Sequence, residues 1–251
     1  MSGHSKWATI KRKKEATDSK RAGIFTKVTR EIIVAAKAGG GDPDHNFRLR
    51  LAVLKAKSVN MPNDNIQRAI KRGIGATESE QYEEIFYEGY GPGGAALLVQ
   101  VLTDNRNRTA GDMRYIFSRN FGNLGEAGCV GWMFSQKGLV IIEAENAGKS
   151  EDDLFEMAIE AGAEDLKNND EIYEIYTDPS QLETVRKYFD ANNIPVKESG
   201  LTMVPTNTVE VTNEEQAQQL LKLVDALEDN DDVQNVYSNF DIPDSILEGI
   251  Q

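Results

Sequence analysis

The sequence predicts a multi-domain α and α+β protein: a basic three-helix N-terminal domain, then two α/β ferredoxin-like domains, the third inserted in the second. Three observations predict it. The apolar period is helical over residues 18–76, whereas strands and helices alternate beyond that point. The charge changes sign at the same place. Residues 1–76 carry 17 Lys/Arg against 6 Asp/Glu, a net of +11, and residues 77–251 carry 11 against 35, a net of -24, which together make the -13 of the whole chain. Finally, when the run 138–203 is set aside, what remains of the middle and end still reads as a split β-α-β order, and the run has a similar order.

The elements follow in turn. Residues 1–17 show neither period and read as an arm. A helix at 18–38 has Ile24, Val28, Ile32 and Ala35 on one stripe and stops at Gly39-Gly40-Gly41. Asp42-Pro43-Asp44 opens a second helix with Phe47, Leu51 and Leu54 on its buried face. A third runs from Pro62 and Asp64 to Gly73 and buries Ile66 and Ile70. Gly75 to Glu80 reads as a linker. Strands are expected at 82–88, 95–102 and 128–134, with a helix at 109–120 capped by Thr109 and Asp112. The set-aside run reads strand 138–143, helix 151–161, strand 171–176, helix 180–191 and strand 196–203. A strand at 208–211, a helix at 214–229 and a strand at 233–238 close the chain. The expected domains are 1–79, a discontinuous 80–135 with 206–251, and an inserted 136–205.

Composition narrows the function. With 251 residues the chain can bury two or three small cores. Its apolar runs fall short of the 18 residues a membrane helix needs, and Met1 to Trp7 lacks the apolar segment of a secretory signal. Cys129 is the sole cysteine, which suits a reducing compartment and a cytoplasmic location. His4, His45 and Cys129 have no metal-ligand spacing, and no nucleophile stands with a base, so neither cofactor nor catalytic site is expected. Ala147-Gly148-Lys149-Ser150 ends like a phosphate loop, but Glu143 occupies the position of its first glycine.

What remains is charge. A basic head on an acidic body suits a polyanion held at one end, although head and body could also neutralise each other by packing. Lys6, Lys11, Arg12, Lys13 and Lys14 place five cations in nine positions, with Trp7 among them for base stacking. On the first helix Lys20, Lys27, Arg30 and Lys37 fall within about a 100° arc opposite the apolar stripe. The third helix adds Arg68, Lys71 and Arg72. In the acidic body Arg106 and Arg108 lie where a strand enters a helix, and exposed backbone N–H groups there favour anions. Either arginine could instead pair with a carboxylate such as Asp104 or Asp112. Tyr90-Gly91-Pro92-Gly93-Gly94 reads as a turn between strands.

Several motifs resemble the YebC/PmpR family: Gly3-His4-Ser5-Lys6-Trp7-Ala8, Ile24-Phe25-Thr26-Lys27, Gly39-Gly40-Gly41-Asp42-Pro43, Asn60-Met61-Pro62 and Arg68-Ala69-Ile70. Tyr87-Glu88-Gly89-Tyr90-Gly91-Pro92-Gly93-Gly94, Asp104-Asn105-Arg106-Asn107-Arg108-Thr109, Leu227-Glu228-Asp229 and Asp231-Asp232-Val233-Gln234 extend the match almost to the C-terminus. Thr9, Arg12, Phe121 and Cys129 depart from it, standing where the family has Asn, His, Gly and Ser. The resemblance implies three domains and a DNA-binding transcriptional regulator. Its alternative is a ribosome-associated translation factor that contacts ribosomal RNA and relieves stalling on proline-rich stretches, as the family's mitochondrial members are translational activators. It carries over no catalytic residue and no set of contacts, so the candidate contacts rest on charge alone.

Overall fold

The computed structural model describes residues 18–75, 82–169 and 171–250, without the side chains of residues 18–22 and of Glu248. The expected arm, with Lys6, Trp7, Lys11, Arg12, Lys13 and Lys14, lies outside the described residues, as does most of the expected linker.

Three helices come first: α1 (Asp18–Gly39), α2 (Phe47–Ser58) and α3 (Asn63–Ile74). Val28, Ile32 and Ala35 of the predicted stripe are buried on α1 against Leu49, Ala52, Ile66 and Ile70. The α3–α1 approach is close because Gly73 has no side chain: a Cβ there would sit 2.6 Å from the Ile33 carbonyl oxygen. The second helix starts later than expected. Asp42 to Asp44 form a turn, and Asn46 caps the helix by accepting from the Leu49 N–H at 3.0 Å. Its buried face also differs from the expected one. Leu49, Ala52 and Ala56 face the other helices, while Leu51 and Phe47 belong to the core of the second sheet. An α-helix wedged between two cores buries two stripes, and a single-stripe reading finds one of them.

Beyond the helices, β1 (Glu83–Tyr90) and β2 (Ala96–Thr103) form a hairpin, followed by α4 (Arg106–Arg119) and β3 (Asn123–Leu124). The chain continues through β4 (Phe134–Glu143), α5 (Glu151–Glu160), β5 (Asp165–Asn168), β6 (Ile172–Thr177), α6 (Leu182–Ala191) and β7 (Glu198–Pro205). It closes with β8 (Val209–Glu210), α7 (Glu214–Glu228), β9 (Val233–Ser238), β10 (Phe240–Asp241) and α8 (Asp244–Ile250). The first sheet has the order β3-β1-β2-β9 and the second β5-β6-β4-β7, both antiparallel. The second sheet with α5 and α6 has the split β-α-β order of a ferredoxin-like unit. In the first sheet α4 and α7 bury Met113, Phe117, Leu220 and Val224 against Leu97, Val99 and Val101.

Three local expectations are corrected, and one strand is added. Residues 128–133 are a turn and a 3-10 turn rather than a strand. The buried Glu88 carboxylate accepts the backbone N–H groups of Gly128, Val130 and Gly131 at 2.6–2.8 Å, and these donors are therefore not free for a ladder. The helix expected from Thr109 begins at Arg106, with Asn105 as its cap. Thr109 is buried, and its hydroxyl turns inward to Thr103 and Asp232. The strand at 165–168 was not anticipated, because Asp, Lys and Asn carry little strand propensity. Residues 209–210 pair in parallel with 240–241, outside the four-stranded sheet.

Candidate nucleic-acid interface

The cationic stripe of α1 divides along its length. Lys27 donates to the Glu228 carbonyl oxygen at the end of α7, where the helix dipole favours a cation. One turn on, Arg30 donates to the Asp231 carbonyl, to the Leu102 carbonyl at 3.4 Å and to the Asp232 carboxylate at 2.8 Å. Its guanidinium also lies over the Tyr82 ring, 5.6 Å from the centroid. These two cations dock the helical domain on the turn between α7 and β9. To that extent, head and body do neutralise each other by packing. Lys37, in the last turn of α1, is exposed. For Lys20 the helix is described but the side chain is not.

The Asp232 carboxylate is the centre of this junction, with a side chain only 5% exposed. It accepts from Arg30 on one side, from Arg108 at 2.9 Å and Thr109 at 2.7 Å on the other, and more distantly from Thr103. Burial pushes its carboxyl up, but the hydrogen bonds from Thr109 and Arg108 and the two guanidinium charges outweigh burial and hold it below the usual Asp range. Arg108 also pairs with Asp104 at 2.8 Å, and these carboxylates raise its own pKa. The expected anion site at the start of α4 thus has one arginine engaged by carboxylates. Arg106 is exposed and has no ion pair among the described residues.

On α3 the cations stay outward. Ile66, Ala69, Ile70 and Gly73 are buried, and Arg68, Lys71 and Arg72 are exposed. At 100° per residue the three cations span about 100° of the helix. Arg68 is braced along the helix by the Asp64 carbonyl at 3.2 Å and the Asn65 side chain. With Lys71, Asp64 and Gln67 it lines a shallow groove of about 310 Å³. The α2–α3 connection is short, running from Val59 to Pro62.

Other cations of the helical domain hold it together or to its neighbours. Lys55 pairs with Glu31, Arg48 with Glu84 at 3.0 Å, and Arg50 with Glu183. The loop that resembles a phosphate site is a helix cap: Gly148 is left-handed, and Ser150 and Asp153 form a capping box for α5. The Tyr90 to Gly94 turn is packed, with Pro92 buried and Gly91 against Leu220. Among the described residues no three His, Cys, Asp or Glu side chains converge as a metal site would require, and no helix is long and apolar enough to cross a membrane.

Sequence reasoning missed two groups. Asp232 was read only as part of a motif, since its partners lie far along the chain. Arg114 and Arg119 on α4 are both exposed, and a helical wheel of residues 106–119 places Arg119 opposite Met113 and Phe117 and Arg114 on their flank.

Residues 5–76 match the family model described as the TACO1/YebC protein N-terminal domain, and residues 82–240 match that of the TACO1/YebC second and third domain. A "Probable transcriptional regulatory protein" of Syntrophobacter fumaroxidans is 58% identical over 250 residues, covering 100% of each chain. One of the same description from Desulfitobacterium hafniense is 54% identical over 248 residues, covering 99% of this chain and 98% of its own. A crystal structure of a conserved hypothetical protein from Aquifex aeolicus superposes with a TM-score of 0.86 at 47% identity, covering 92% of this chain and 94% of its own.

Proposed function

The chain belongs to the TACO1/YebC family, and from that premise we propose that it is a non-enzymatic, DNA-binding transcriptional regulator that works in the cytoplasm. The names of its relatives support regulation of transcription. The observation that carries nucleic-acid binding is the outward cationic face of α3, Arg68, Lys71 and Arg72, in a domain of net charge +11. On grounds of charge, Lys20, Lys37 and the cations between residues 6 and 14, with Trp7, are further contacts, and Arg106 adds one on the body. Lys27, Arg30 and Arg108 contribute by fixing the helical domain to the body.

A second reading is a ribosome-associated translation factor contacting ribosomal RNA. The observation favouring it is the pair of exposed aromatic rings beside arginines on α4 and its cap, since unstacked RNA bases offer faces that duplex DNA hides. Crosslinking in cells separates the two: promoter DNA recovered with the protein supports the first reading and ribosomal RNA the second. Recovery of neither overturns nucleic-acid binding. ATP hydrolysis by the pure protein, lost in Lys149→Ala, would overturn the non-enzymatic reading.

A further inference from the structure

The outer side of α4 is unlike the rest of the acidic body. Residues 77–251 hold 11 Lys/Arg, and four of them, Arg106, Arg108, Arg114 and Arg119, fall on this one helix against a single acid, Asp112. Arg114 and Arg119 are exposed and have no ion pair among the described residues. Tyr115 stands between them and is 66% exposed. At 100° per residue Tyr115, Arg108 and Arg119 fall within 40° of one another along the helix, with Arg114 about 100° round from Tyr115. Both Arg106 and Arg114 lie close enough to Tyr87 for their charges to favour its phenolate, although burial holds its pKa up.

The end of the helix adds a second aromatic ring. Gly122 donates its N–H to the Phe117 carbonyl at 2.9 Å, which closes a Schellman turn with Asn120 as the C-cap. The next position is left-handed and normally a glycine. Here it is Phe121, with φ of 61° and 68% of its surface exposed. A bulky side chain in that conformation is disfavoured, and an exposed phenyl ring gains nothing from burial to offset it.

We propose that Tyr115 and Phe121, flanked by Arg114 and Arg119, form a stacking platform for single-stranded nucleic acid. This inference rests on the nucleic-acid-binding reading and deepens it. Aromatic faces take unstacked bases of any sequence, and arginines take the phosphates between them. The α4 helix is about 21 Å long at 1.5 Å per residue, enough for a short strand to run from the cap along the Tyr115 face toward the start of the helix. The cluster of positive charge within an acidic body favours a polyanion over an acidic or neutral protein partner. Duplex bases are already stacked on each other, so the platform discriminates strand from duplex.

The test uses the full chain, a 12-nucleotide oligouridine and a duplex of equal length. The stacking variant is Tyr115→Ala with Phe121→Gly. The left-handed position accepts glycine without strain and Tyr115 is exposed, so the variant folds. It is expected to lose at least about fivefold, and up to about 150-fold per stacked base, in affinity for the oligouridine, with an unchanged salt slope and unchanged duplex affinity. Arg114→Gln with Arg119→Gln is expected to flatten the single-strand slope by about 1.4 units. Unchanged oligouridine binding in both variants, while the unaltered protein binds, overturns the platform and leaves the α3 surface standing. Equal losses for strand and duplex in the stacking variant also overturn it. If the variants instead lose capture of a folded protein partner and keep the oligouridine, the platform is a protein-docking site and the proposal fails. An unaltered protein that binds neither probe at low salt sinks this inference together with the reading beneath it.

Discussion

Replacing Asp232 by alanine tests the junction between the helical domain and the α/β body. In the native fold this carboxylate is 5% exposed and meets Arg30, whose side chain is 15% exposed. Removing one partner of a buried pair costs about 3–5 kcal/mol, because the other charge is left uncompensated. Here Arg30 keeps the Asp231 and Leu102 carbonyls, and the half-exposed Arg108 keeps Asp104 and water. Thr109 loses an acceptor and is buried, which adds about 1 kcal/mol. With the pair at the low end, the sum is about 4 kcal/mol. For a chain of this size that lowers the thermal midpoint by about 8–16 °C. Differential scanning calorimetry at pH 7 measures it, and Asp232→Asn, which keeps an acceptor oxygen, is expected to fall by less than half as much. The effect is also tied to pH. The folded carboxyl titrates below its unfolded value, so its stabilisation is complete above the unfolded value near 3.9 and is lost as pH falls through the folded one. The gap between native and Asp232→Ala protein therefore narrows on acidification below about pH 4. A midpoint change under 2 °C at pH 7, or a gap that widens in acid, refutes the assignment of Asp232 as the keystone.

Three further substitutions probe packing and loop geometry. Phe121→Gly relieves a left-handed residue of its side chain and is expected to raise stability by about 1 kcal/mol, read as a higher urea midpoint with unchanged slope. Gly73→Ala places a methyl group 2.6 Å from the Ile33 carbonyl and 2.7 Å from the Ala36 Cβ, so α3 must move off α1. The expected loss is about 2 kcal/mol, seen as a lower midpoint and faster amide exchange in α3. Glu88→Gln leaves three buried-loop donors sharing one neutral oxygen, and is expected to cost about 2 kcal/mol and to speed exchange at Gly128, Val130 and Gly131.

Much of this architecture is legible in local patterns. The stripe of Val28, Ile32 and Ala35 and the run of Ile66 and Ile70 locate two helices because amphipathic period is a property of neighbouring residues. The Asn105 cap was missed because Thr109 offers a similar side chain four residues later, and only the tertiary fold directs that hydroxyl inward to Asp232. The 128–133 segment reads as a strand by composition, but one carboxylate from β1 takes its donors. The cationic surface shows the same limit. Charge counting found Lys27 and Arg30 along with Lys37, but the acceptors at Glu228 and Asp232 lie about two hundred residues away, and no spacing rule connects them. Arg68, Lys71 and Arg72 were legible because the face they occupy is set by the helix alone.

The central claim is that the basic helical domain supplies most of the affinity for nucleic acid. Its most direct test is the salt dependence of binding by the full chain, compared with a variant in which Lys11, Arg12, Lys13 and Lys14 are alanine and one in which Arg68, Lys71 and Arg72 are glutamine. If about six phosphates are neutralised, log K against log salt falls with a slope near -5 on duplex DNA and near -4 on single strands. The account predicts that the four alanines flatten the duplex slope by up to about 3 units and the three glutamines by a further 2 or so. Slopes unchanged in both variants, with affinity intact, would place the contact on the α/β body and contradict it.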